Sequence, residues 1–180
     1  QLVDRVELRF PLSQRRYFGV EDEVSIDVDV KNVETLLIKI FEIDAYAFLR
    51  DNGREVDASV DLDGVMANHE FVHRYSEPSL RRVPRTFEFP QLAGAGSWVV
   101  EFVGNGMSSR AVIQKGRLHA LERVGSAGHV FTVFDEQGQV VKDAAIFVAG
   151  KEYVSDDSGE IAVPFSPKPH CAPAHAAMSV

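Results

Sequence analysis

The sequence predicts an all-β chain built as tandem antiparallel β-sandwiches, and three observations predict it. Residues 22–31 alternate strictly, with Val24, Ile26, Val28 and Val30 on one face and Ser25, Asp27, Asp29 and Lys31 on the other, the period of a half-buried strand. Pro78, Pro84 and Pro90 with Gly94, Gly96, Gly104 and Gly106 then cut the chain into runs of strand length. After Gly116 a further series of short apolar runs is separated by the turn sequences DEQG (135–138) and DDSG (156–159). Short strands punctuated in this way are the signature of a sandwich.

The elements follow in order. Residues 35–43 (TLLIKIFEI) are apolar on both faces and rich in β-branched and aromatic side chains, which suits a central strand covered on two sides. Residues 45–68 are ambiguous: Asn52-Gly53 fits a tight turn, and 44–50 fits either a strand end or a short helical detour. Further strands are expected at 71–75, 85–89, 97–103 and 110–114. Residues 1–115 thus form a first sandwich, and residues 116–165 a second module, with an extended lead-in at 116–123, a flexible GSAG joint at 125–128, and strands at 130–134, 145–148 and 161–165 joined as a meander. So short a unit buries little apolar surface, which predicts that it continues in a longer chain or leans on the first. Residues 166–180, with three prolines and four alanines in no period, read as a disordered tail, abrupt enough in onset to suit a truncated or altered frame.

Composition narrows the function. The 180 residues carry 19 basic and 27 acidic side chains, a formal charge of −8, which argues against a nucleic-acid surface, since phosphate binding needs clustered Lys and Arg. No apolar run reaches the roughly 18 residues of a membrane span, and no leader peptide is visible. A single cysteine, Cys171, excludes an intrachain disulfide framework and multi-cysteine metal patterns. Acidic groups concentrate in residues 21–64, with 13 acidic against 4 basic side chains, while residues 74–85 hold four arginines against Glu77. The first reads as a solvated sheet face. The second, Arg74, Arg81, Arg82 and Arg85, is the candidate partner contact, because guanidinium groups suit carboxylate-rich partners and are enriched at interfaces. It could equally meet the chain's own acidic stretch or a neighbouring domain.

Chemistry finds no constellation in this pattern. His170, Cys171 and His175 are zinc-ligand types, but three within six residues of an Ala/Pro tail lack a supporting shell. Asp57, Asp61 and Asp63 before Gly64 suggest part of a calcium loop, yet the terminal glutamate and flanking helices are missing, so an acidic turn is expected. No GxSxG, HExxH or phosphate-cradling loop occurs, and His69, His73, His119 and His129 are dispersed. The expectation is no catalytic residue, no cofactor and no metal. Trp98 shares a face with Val100 and Phe102 and is expected in the core rather than on a sugar-stacking platform.

Two stretches carry a family resemblance. The strand DEVSIDVDVKN after Phe18-Gly19-Val20-Glu21, the strand TLLIKIFEI, then GSWVVEF (96–102) and SRAVI (109–113) resemble the macroglobulin-type (MG2-like) domains of bacterial α2-macroglobulin-like proteins. The segment FDEQGQVVKDAAIFV (134–148) followed by SDDSGEI (155–161) resembles carboxypeptidase-regulatory-like, transthyretin-like modules, in which the Asp and Gly positions build tight turns. The resemblance implies Ig-like modules in a periplasmic, cell-surface or secreted protein of bacterial type. The thioester sequence Cys-x-Glu-Gln, by which some macroglobulins trap proteases, is missing here.

These readings converge on a non-enzymatic structural and protein-interaction segment, whose partners are neighbouring domains of a parent chain or another protein. Two rivals differ in class. A carbohydrate-binding sandwich requires Trp98, Tyr46 or Tyr75 to face solvent. A transthyretin-like hydrolase requires a cluster of His and Arg, for which His129 alone is thin support.

Overall fold

In the computed structural model the structure describes residues 5–76, 80–165 and 177–179, the last by backbone alone. The chain divides into two compact units, residues 1–45 with 56–115, and residues 46–55 with 116–180.

The first unit is a sandwich of two sheets. One has the order β1-β3-β6, formed by β1 (Glu7–Arg9), β3 (Ser25–Lys31) and β6 (Val83–Glu88). The other has the order β2-β8-β7-β4-β5, formed by β2 (Tyr17–Phe18), β4 (Thr35–Glu42), β5 (His69–Arg74), β7 (Gly96–Gly104) and β8 (Met107–Lys115). The period-two residues of β3 point inward, with Ile26, Val28 and Val30 buried against Leu36, Ile38 and Ile40 of β4 and Val100 and Phe102 of β7. Trp98 belongs to this core at 6% exposure. Across the sandwich, Ser109 Oγ donates to the Leu8 carbonyl at 2.6 Å.

β4 is apolar on both sides because both sides are covered. Its other face holds Phe41 at the level of Val99 of β7, and both are buried along with Val56, Val60 and Leu62. The segment 56–67 is drawn onto this face by Arg16, whose guanidinium donates to the Val56 carbonyl at 2.7 Å, and by Arg110, which donates to the Val60 carbonyl at 2.7 Å. β7 and β8 meet in a tight hairpin at Asn105 (φ 47) and Gly106 (φ 78), the left-handed pair that a two-residue hairpin requires.

The second unit contains α1 (Ala45–Asn52), whose residues from Tyr46 onward belong to it, and two small sheets. These have the orders β13-β10-β9 and β12-β11-β14, with β9 (His119–Val124), β10 (Gly128–Phe134), β11 (Ala145–Val148), β12 (Lys151–Val154), β13 (Glu160–Pro164) and β14 (Ala177–Ser179). Val133, Ile146 and Ile161 form its core. The expected meander is corrected: β10 pairs directly with β13, and β11 lies in the other sheet. The physical reason is burial, since separating β11 lets Ile146 face Val133 and Ile161 rather than share a single-layer sheet with one open side.

Other local expectations are also revised. Residues 125–128 are not a flexible joint but a tight reversal, in which the Gly125 amide donates to the Gly128 carbonyl at 2.8 Å and turns β9 into β10. The tight turn expected at Asn52-Gly53 is a helix cap: Gly53 ends α1 in a left-handed conformation (φ 66) with its amide donating to the Leu49 carbonyl at 2.8 Å. Residues 177–179, within the stretch read as an aperiodic tail, pair antiparallel with β11. His170, Cys171 and His175 lie outside the described residues.

Both Asp-Gly turns are built alike. Asp135 Oδ1 accepts from the amides of Gln137 and Gln139 at 2.9 and 2.8 Å, and Asp156 Oδ1 accepts from those of Ser158 and Glu160 at 2.9 and 3.0 Å. Gly138 and Gly159 follow at φ 76 and 82.

Candidate functional site

The four arginines singled out in the sequence do not share one surface, because strand alternation separates them. Arg85 is opposite Val28 on β3 and so points inward, where its guanidinium sits 3.9 Å from the centre of the Tyr75 ring. Its Nε is enclosed without a hydrogen-bond acceptor. Arg82 reaches the outer side of the same sheet, with Nη2 at 2.5 Å from Glu7 Oε2 and Nε at 3.9 Å from Asp29 Oδ2. Its hydrogen bond holds the Glu7 carboxyl below the usual carboxylate range. Arg81 is exposed. Arg74 ends β5 on the outer face of the five-stranded sheet, opposite Thr35. The basic patch is therefore one inward-facing guanidinium, Arg85, one outer-face guanidinium tied to Glu7, Arg82, and the exposed Arg74 and Arg81.

The feature that sequence reading missed is the strand edge beside Arg74. β5 is the last strand of its sheet and is exposed along most of its length, with Val72 at 57%. The Tyr75 amide donates to the Glu34 carbonyl at 2.9 Å, and in an antiparallel ladder bonded pairs recur at every second residue. His69, Phe71, His73 and Tyr75 thus turn their main-chain groups toward β4, and those of Glu70, Val72 and Arg74 point away from the sheet. The alternation Glu-x-Val-x-Arg is visible in the sequence, but only the pairing register shows that these three residues share an open edge.

Charge is ordered across the same sheet. Glu70 lies opposite Lys39, Lys39 opposite Glu101, and Glu101 opposite Arg110. Lys39 Nζ is 3.6 Å from Glu70 Oε1, and Arg110 Nε is 2.8 Å from Glu101 Oε1. One row thus alternates in sign from β8 to the edge, with the apolar row of Leu37 and Val72 beside it.

The sequence's other candidates are placed as follows. Asp57 Oδ1 accepts from the amide and hydroxyl of Ser59 at 2.7 and 2.5 Å, and Asp61 Oδ1 accepts from the Asp63 amide at 2.9 Å, so both carboxylates are spent on turns. Among the described residues no group of three His, Cys, Asp or Glu side chains is arranged to hold a metal. His129 Nδ1 is 2.5 Å from Glu122 Oε1, with its ring edge-on to Phe165. Tyr46 is tied by its hydroxyl, donating to Glu152 at 2.7 Å, and one face of Tyr75 is covered by Arg85. Trp98, at 6% exposure in the core, offers no platform for carbohydrate stacking.

A concavity of about 560 Å³ is lined in part by Glu21, Glu23, Glu88 and Lys115, with Lys115 Nζ donating to the Leu92 carbonyl at 2.9 Å. No helix among the described residues is long and apolar enough to cross a membrane.

Comparison with known proteins agrees with this architecture. Residues 36–116 match the family described as the AbpF first immunoglobulin-like domain. Actin-binding protein F of Dictyostelium discoideum is 38% identical over 168 residues, covering 92% of this chain and 7% of that protein. The chain thus spans a small fraction of this relative's length. Two crystal structures of Escherichia coli α2-macroglobulin are similar in fold at 12% identity. The one spanning domains MG0-NIE-MG1 has a TM-score of 0.53, with 90% of this chain and 58% of that one covered. The one spanning NIE-MG1 has a TM-score of 0.52, with 91% and 89% covered. The fold is a macroglobulin-like Ig fold.

Proposed function

From an Ig-like chain of this kind, we propose a non-catalytic protein-interaction segment of a longer, actin-associated protein, whose partners are neighbouring domains of that protein or actin itself. The observation that carries the reading is the 38% identity over 168 residues with a protein named for actin binding. The exposed Arg81, outside the β5 edge, supplies a cationic position at which such a contact can form. A carboxypeptidase-regulatory-like character for the second unit is part of the proposal, supported by its matched Asp-Gly turns and paired three-stranded sheets. The periplasmic, cell-surface or secreted setting expected from the sequence draws on the macroglobulin likeness, which at 12% identity concerns fold, and it forms no part of this proposal.

The test is co-sedimentation with filamentous actin of the 180-residue chain and of its parent protein with and without this segment. The chain is expected in the pellet, and excision is expected to weaken pelleting of the parent. A chain that stays in the supernatant, together with a parent unaffected by excision, would overturn the reading.

A further inference from the structure

We propose that β5 is a homodimerisation edge, pairing antiparallel with β5 of a second copy about a two-fold axis at Val72. The inference is independent of what the parent protein binds. It starts from the outward main-chain groups of Glu70, Val72 and Arg74, which leave an unpaired strand edge open to addition.

The side chains select the occupant. Glu70-x-Val72-x-Arg74 is complementary to itself when reversed: with Val72 against Val72 of the second copy, each Glu70 meets the other copy's Arg74. These are the residues whose main-chain groups face outward, so three bonded pairs form, with about six hydrogen bonds in all. The row Arg110, Glu101, Lys39, Glu70 then continues into Arg74 of the second copy with its alternation of sign intact, and Leu37 and Val72 of both copies form one apolar row. On the other face Phe71 of each copy lies opposite His73 of the other. Parallel pairing in register would set Glu70 against Glu70 and Arg74 against Arg74, and a slip of one residue would move the charges out of register.

The edges of β6 and β9 are unsuited to the same contact. β6 pairs with β3 so that Phe89 donates to the Val24 carbonyl at 2.9 Å. By the same parity Pro84, Thr86 and Glu88 face outward, and Pro84 has no amide to donate. On β9 the outward positions are Ala120, Glu122 and Val124, since the Gly125 amide pairs inward, and a two-fold axis there would oppose Glu122 to Glu122. One six-residue strand pair is a small interface, so the dimer is expected to form at roughly micromolar to millimolar concentration.

Sedimentation equilibrium of the 180-residue chain over that range tests the proposal. Self-association is expected, weakened about tenfold by E70R or by R74E alone, because each sets like charges opposite one another. An equimolar mixture of E70R and R74E is expected to recover it, because the heterodimer restores both opposite-charge pairs. V72P removes an outward amide that β4 does not use and is expected to abolish association. Hydrogen exchange supplies a readout without mutation: the amides of Glu70, Val72 and Arg74 should slow as concentration rises, while those of Phe71 and His73 are protected at every concentration. A chain that stays monomeric throughout, or a dimer indifferent to all these substitutions, would overturn the proposal.

Discussion

The Arg85 guanidinium lies 3.9 Å from the centre of the Tyr75 ring, and this pair closes the side of the first sandwich where the edge strands β5 and β6 meet. The aliphatic stem and the flat head both act as cover over an aromatic surface, while the enclosed Nε lacks an acceptor. R85A is therefore expected to destabilise the chain by about 1–2 kcal/mol. R85M, which keeps the stem without burying an unmatched N–H, should cost less. Chemical denaturation checks the order, and equal losses for the two variants would show that cover is not what Arg85 provides.

Arg110 joins two parts of the first unit, with Nε at 2.8 Å from Glu101 and Nη1 at 2.7 Å from the Val60 carbonyl. Both side chains are largely covered, at 24% and 12% exposure. R110M leaves Glu101 without this partner and Val60 without this donor, and is expected to cost about 2–3 kcal/mol. The same change should quicken proteolysis within residues 56–67 more than elsewhere. Uniform sensitivity along the chain would contradict the role of Arg110 in holding that segment.

The strength of the alternation decided what could be read before the structure. β3 was legible because Ile26, Val28 and Val30 face a core while Asp27 and Asp29 face water. The double-sided apolar character of β4 was legible too, though the cover over Phe41 comes from an irregular segment with no periodic signal. The conformation of α1 was open, since none of its side chains is buried and eight residues carry little helical preference alone. The arginine cluster was misleading for a geometric reason: Arg82 and Arg85 are close in sequence yet lie on opposite faces of one sheet. The complementary edge of β5 was hidden because outward and inward amides depend on pairing, which no single strand specifies.

Gly128 tests how tightly the second unit is closed. At φ 156 a Cβ there would stand 2.2 Å from the Val163 carbonyl oxygen, on the neighbouring strand. G128A must push β10 and β13 apart, and a loss of at least about 2–3 kcal/mol is expected. G53A is the control: its φ is 66 but nothing lies within 4 Å of the added methyl, so its cost should be about 1 kcal/mol. Calorimetry should show the larger shift for G128A, and similar shifts would mean that the sheet relaxes around the methyl.

Acid should weaken both units through carboxylates held below their ordinary range. The Arg82 side chain does this to Glu7, the Gly19 amide and then Arg15 to Asp22, and the Ser158 hydroxyl and the Glu160 amide to Asp156. A folded pKa below the unfolded one means that the stabilisation is present above the ordinary carboxylate value and is lost as pH falls through the folded value. Melting temperatures should accordingly fall below about pH 4. D156N keeps an acceptor oxygen but cannot titrate, so the variant should start lower at neutral pH and decline less steeply in acid. Parallel declines for the two proteins would remove Asp156 from this account. Tyr75 works in the opposite direction: burial raises its phenol above the ordinary value of 10.0, so its contribution is held below that pH and lost in stronger alkali.

If the segment is both actin-associated and paired through β5, the parent protein becomes bivalent, and bivalency changes what it does to filaments. Two linked actin contacts bridge filaments where one only decorates them, because the second contact forms at the effective concentration set by the first. V72P in the parent is expected to leave pelleting with actin at high speed unchanged and to remove filament bundles from the low-speed pellet. R74E should reduce bundling in part, and co-expression of R74E with E70R should restore it. Loss of high-speed pelleting in V72P would place Val72 in the actin contact itself, and bundling that survives every edge variant would assign cross-linking to another part of the parent.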